Sequence, residues 1–95
     1  MNKLRRPYNF DETVFYTLQL LKASPKRIGW VVVDRGLPTL ERLRKWKKIT
    51  DNYHQAFRIG QRLPNGTYRY AFCASTPDLW IKAGLRYLEE RKLRT

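Results

Sequence analysis

The stretch Lys26–Gly36, KRIGWVVVDRG, decides the fold. Three consecutive β-branched residues, Val31, Val32 and Val33, favour a strand by propensity. The length and position of the stretch suit the second helix of a three-helix core, and Gly36 would then supply the turn before the next element. The pattern leaves both readings open. Position favours a short buried helix, and the expected fold rests on that choice.

Working outward, Gly36–Ile49 reads GLPTLERLRKWKKI. Pro38 suits a first helical turn, so the pattern predicts a helix over Pro38–Lys48. At 100° per residue, Leu40 and Leu43 share one face with the stem of Lys47. Glu41, Arg42, Lys45 and Lys48 lie on the far side, and Trp46 falls on the flank. Upstream, Asn9 and Glu12 match a capping box. Val14, Leu18 and Leu21 form an apolar stripe, which predicts a helix running to about Ala23, where Ser24-Pro25 stops it.

Downstream, Asn65-Gly66 predicts a β-hairpin with a two-residue turn. Pairing outward from it sets Leu63 opposite Tyr68, Gln61 opposite Tyr70 and Ile59 opposite Phe72. Thr76, Pro77 and Asp78 then open a last helix carrying Trp80, Ile81, Leu85 and Leu88. The order is helix, helix or strand, turn, helix, hairpin, helix. The expected class is α+β, mainly α: a winged helix-turn-helix, with a three-helix core, a two-stranded hairpin wing and an added C-terminal helix. Residues 1–8 form a basic arm, and residues 9–95 form a single domain.

The 95 residues carry 20 Lys+Arg against 8 Asp+Glu, a net charge of +12. A charge this far from zero favours a polyanionic partner through steering and counterion release. The basic residues also cluster: Lys22–Lys48 holds nine of them and two acids. The single cysteine, Cys73, excludes an internal disulfide and a zinc-finger ligand set, and fits a reducing cytosol. No apolar run approaches the roughly 20 residues of a membrane span. The N-terminal MNKLRRPYNF lacks the apolar segment of a secretory signal. The expected location is therefore cytoplasmic, nucleoid-associated when DNA is bound.

Gly36–Phe72 resembles a group of small winged helix-turn-helix domains common in phage and prophage genes. The matching helix is LERLRKWKKI, with Leu40, Leu43, Arg44 and Ile49 at the corresponding places, and the matching hairpin is QRLPNGTYRYAF. Lys47 stands where that group usually has a glycine. The resemblance implies double-stranded DNA binding in a phage, prophage or plasmid setting, as a transcription or replication regulator.

On that reading the third helix enters the major groove. Thr39, Arg42 and Lys45 are the base-edge candidates, Arg42 first because arginine can bond guanine bidentately. Arg44 and Lys48 are the phosphate candidates. On the wing, Arg62, Asn65 and Arg69 would meet the backbone or minor groove. On the arm, Lys3, Arg5 and Arg6 could lie in a minor groove. Trp80, Tyr87 and Leu88 could line a homodimer seam along the last helix, or pack on the first helix.

No catalytic constellation is evident: His54 lacks a triad partner, and the adjacent pairs Asp11-Glu12 and Glu89-Glu90 point apart. Metal-ligand spacings, cofactor motifs and a small-molecule site are not evident either. Two further readings stand beside DNA binding. One is a winged-helix module meeting an acidic protein groove. The other is an RNA binder stacking bases on Tyr68, Tyr70 and Phe72.

Overall fold

A computed structural model describes residues 10–53, 55–70 and 77–94. The elements are β1 (Tyr16–Ala23), β2 (Ile28–Gly36), α1 (Leu40–Asp51), β3 (Phe57–Arg62), β4 (Tyr68–Tyr70) and α2 (Pro77–Arg94). The strands make one antiparallel sheet in the order β2-β1-β3-β4. This is not the expected winged helix-turn-helix. Both segments expected to form the first two helices are strands, and the three-helix core does not exist.

The reason lies in the period of the first segment. Tyr16, Leu18 and Leu20 are buried at every second position, with Thr17 and Gln19 between them. That is strand alternation. The helical stripe through Val14, Leu18 and Leu21 shares Leu18 with it, so the apolar residues fit both periods. Ser24-Pro25, which reads as a helix stop, is the corner of the β1–β2 hairpin. The Ser24 N–H donates to the Arg27 carbonyl at 2.8 Å, and the Arg27 N–H donates to the Ser24 hydroxyl at 3.3 Å. The valine run therefore follows its β-branched propensity. A bulge falls in it, since Leu18 pairs with Asp34 but Gln19 pairs with Val32.

The second hairpin forms, but in a register one residue from the expected one. Arg62 faces Tyr68, Gln61 faces Arg69 and Gly60 faces Tyr70. The loop holds three residues, Pro64, Asn65 and Gly66. The Gly66 N–H donates to the Leu63 carbonyl at 2.9 Å, and the Leu63 N–H donates to the Thr67 carbonyl at 2.7 Å. Pro64 suits the second position of a type I turn. Gly66, at φ +90, takes the left-handed conformation that completes such a loop. A one-residue slip exchanges the two faces of a strand, so Arg69 joins the face of Gln61 and not that of Arg62. Phe72 lies outside the described residues, as do the arm, Asn9, His54, Cys73 and Thr76.

Both helices pack on one face of the sheet. Leu43 and Trp46 of α1 and Trp80, Ile81 and Leu85 of α2 join Tyr16, Leu18, Leu20 and Ile59 in a single core. Trp46 is fully buried where the helical wheel put it on the flank. Phe10 closes the cluster, with ring centroids 5.3 Å from Trp80, which itself lies 4.8 Å from Tyr16. The side chains of Trp80 and Tyr87, expected either at a dimer seam or on the first helix, meet the chain's own aromatic core. Beyond the helices the β1–β2 hairpin projects: every residue from Lys22 to Val33 is exposed. The molecule accordingly measures 52 × 33 × 23 Å. No helix among the described residues is long and apolar enough to cross a membrane.

The two helices touch closely at Gly84. A Cβ there would lie 2.8 Å from Leu43 Cδ1 and 2.9 Å from Phe10 Cε2. Gly84→Leu is expected to destabilise the fold by about 1–3 kcal/mol through overpacking, despite leucine's better helix propensity. Urea denaturation checks this, and an unchanged midpoint refutes so close a crossing.

Candidate nucleic-acid interface

The α1 helix begins at Thr39, whose hydroxyl accepts the Arg42 N–H at 3.2 Å. Thr39 is thus the N-cap, and its side chain is engaged by the helix it starts. Arg42 turns inward. Its Nε donates to Asp34 Oδ2 at 3.1 Å and its Nη1 donates to the Leu37 carbonyl at 3.1 Å. Trp46 Nε1 donates to the same Asp34 oxygen at 2.7 Å, and Lys45 Nζ stands 3.8 Å away. The residue expected to read bases therefore ties α1 to β2.

Burial pushes the Asp34 carboxyl up, but the hydrogen bonds from Trp46 and Arg42 outweigh it, helped by the charges of Lys45 and Arg42. The net result is a value below the usual 3.8.

With Leu43, Trp46 and Thr50 buried, the helical period sends Arg44, Lys45 and Lys48 outward. On α2, Lys82, Arg86 and Glu89 recur at the same spacing. Together the two helices line a solvent-open groove of about 790 Å³, with Lys47, Asp51 and Leu85 completing its lining. Six basic residues face two acids along it.

Two of its ion pairs lie within the lining and two reach acids just outside it. Arg44 meets Glu89 at 3.3 Å, Lys47 meets Asp51 at 2.7 Å, Lys82 meets Asp78 at 3.0 Å and Arg86 meets Glu90 at 3.2 Å. The bond it donates to Asp51 holds the Lys47 ammonium above its usual value. Lys48 forms no salt bridge among the described residues. Exposed pairs of this kind contribute about 0–1 kcal/mol each, so an incoming anion can displace the acids at small cost.

The structure thus brings Arg44, Lys45 and Lys48 together and adds Lys47, Lys82 and Arg86. The last two could have been found from their i,i+4 spacing on the final helix. The wing candidates do not join the groove. Arg62 is exposed at the end of β3. Asn65 Oδ1 accepts from the N–H and hydroxyl of Thr67 and so orders its own turn. Arg69 Nε donates to Gln61 Oε1 at 2.8 Å. Arg5 and Arg6 lie outside the described residues.

A second surface was not expected. On the sheet face away from the helices, Arg58 Nε donates to Gln19 Oε1 at 2.7 Å, and its guanidinium lies 4.2 Å from the centre of the Trp30 ring. Arg58 and Trp30 sit two strands apart, so only the pairing of β1 with both neighbours unites them. Among the described residues, no group of His, Cys, Asp and Glu could hold a metal ion. No protein-family model, curated protein or solved structure matches this chain.

Asp34 gives the site a pH signature. A carboxyl whose folded value is depressed stabilises the fold above its unfolded value and loses that contribution as the pH falls through the folded value. The wild type should therefore lose stability on acidification below about pH 4, and Asp34→Asn should be less stable at neutral pH while losing less on acidification. Urea midpoints at neutral and acid pH check this, and parallel curves for the two proteins would refute it.

Proposed function

We propose that the chain binds double-stranded DNA through its phosphate backbone, with the α1–α2 groove as the contact surface. The observation that carries this reading is the groove itself, six basic side chains against two acids between two adjacent helices. Polyelectrolyte binding gains free energy by releasing the counterions condensed on DNA, and it needs clustered cations rather than a particular fold. The net charge of +12 supplies a long-range attraction of the same sign. The setting for such an activity is the cytoplasm.

The mode differs from that of a helix reading bases in the major groove. Thr39 caps its helix and Arg42 is held by Asp34, so α1 offers Lys45 and Lys48 together with Arg44, which is paired with Glu89. Lysines supply point charges, and contacts of that kind position a protein on DNA without selecting a sequence. Affinity on this reading is backbone-dominated.

The Trp30–Arg58 pair favours one alternative, a single strand laid across the uncovered sheet face. Aromatic rings and guanidinium planes stack with unpaired bases.

Fluorescence anisotropy with a random duplex and a single strand of equal length separates the two. Six phosphate contacts predict a slope of log K against log salt of about −5 for the duplex. Lys48→Glu and Arg86→Glu should each weaken duplex binding and flatten that slope, and Trp30→Ala should leave it intact. Absence of salt-dependent duplex binding at about 50 mM salt rejects the proposal, because a cluster of this charge gives at least non-specific affinity. Loss of binding on Trp30→Ala, with Lys48→Glu neutral, assigns the sheet face instead.

A further inference from the structure

β2 is an edge strand of the sheet and, at nine residues, its longest. One edge of it pairs with β1, and the other has no strand beside it among the described residues. Ile28 is 67% exposed, Val32 52% and Val31 44%, with Trp30 and Val33 close behind. Edge strands ordinarily carry charges or prolines that block pairing with another chain. Ile28–Val33, IGWVVV, carries neither.

We propose that β2 pairs antiparallel with β2 of a second copy of this chain, about a two-fold axis passing beside Trp30. The pattern around Trp30 is self-complementary. Through their β1 partners, Trp30 and Val32 share the face of Leu21 and Gln19, while Gly29 and Val31 share the face of Lys22 and Leu20. Pairing Trp30 with Trp30 of the other copy sets Ile28 against Val32 on one face and Gly29 against Val31 on the other. Each apolar residue meets an apolar residue or the space above a glycine, as a two-fold interface requires.

Charge permits the same occupant. Copies of a chain carrying +12 repel at long range, yet no cations are opposed along Ile28–Val33.

A two-fold axis normal to the sheet keeps the faces in common. Two four-stranded sheets become one of eight strands, with all four helices on the same side. Both basic grooves then stay open, so the dimer stands whether or not those grooves bind DNA.

Sedimentation velocity of the full chain tests this at physiological salt, where long-range repulsion is screened beyond about 8 Å. The mass should rise with concentration toward twice 11.4 kDa. Val32→Lys, an exposed change on the edge, should keep the circular dichroism of the wild type and weaken the dimer at least about tenfold.

A second measurement uses cysteine. In a Cys73→Ser background, Trp30→Cys should cross-link to its own copy under mild oxidation, because residues opposed on an antiparallel axis have Cα atoms about 4.5–5.5 Å apart. Leu93→Cys, on the exposed end of α2, should not. A monomer throughout the concentration series overturns the proposal, including the case in which the edge takes a foreign strand. So does a dimer that survives Val32→Lys, or one that Leu93→Cys traps and Trp30→Cys does not.

Discussion

The Asp34 carboxylate is the constraint on which the rest depends. One oxygen receives the Trp46 indole N–H and the Arg42 guanidinium, and Lys45 stands beside it. Three side chains of α1 thereby converge on one residue of β2, and the connection between strand and helix is only Leu37, Pro38 and Thr39. A carboxylate removed from water costs free energy unless donors replace the lost hydration, and here two charge-assisted bonds and a nearby ammonium do so. The clamp fixes which face of α1 looks inward. With Arg42 and Trp46 held against the sheet, Arg44, Lys45 and Lys48 are left outside.

The second helix is placed by shape. Its Trp80 packs on Tyr16, Ile81 joins the same core, and Gly84 lets it approach Leu43. Close crossing narrows the space between the helices, and the basic groove is the outer side of that crossing. Charge density there is a product of packing: Arg44 to Lys48 on one wall and Lys82 and Arg86 on the other are separated by more than thirty positions in sequence.

Helices on one face of an antiparallel sheet leave two other surfaces with separate chemistry. The uncovered face holds the Trp30–Arg58 stack, and the outer edge of β2 holds the apolar run Ile28–Val33. Neither contributes to the core. Apolar residues on a projecting hairpin gain little from burial within the chain, and exposed apolar runs of this kind suit contact with another molecule. An edge-paired dimer would keep the two helical layers side by side, doubling the cationic surface offered to a long polyanion.

Much was legible locally. LERLRKWKKI is a helix, PDLWIKAGLRYLEERKLR is a helix opening with Pro77, and the segment around Asn65-Gly66 is a hairpin, because capping, proline and turn chemistry act over a few residues. Charge was legible in full, and it named Arg44, Lys45 and Lys48. The identity of the first two elements was not legible locally. Tyr16–Ala23 satisfies a helical and a strand period at once, and the position of the valine run opposes its propensity. The hairpin loop takes in Pro64 beside Asn65 and Gly66, which shifts every partner by one.

The sequence by itself determined the net charge, the two amphipathic helices and the presence of a hairpin around Asn65-Gly66. Only tertiary structure decided that Arg42 serves Asp34 and that the cations of two distant helices share one groove. It alone left Ile28–Val33 on the outer strand of the described sheet. The physical reason is range: turns and helices answer to neighbours within four residues, whereas pairing and burial join residues that the chain keeps far apart.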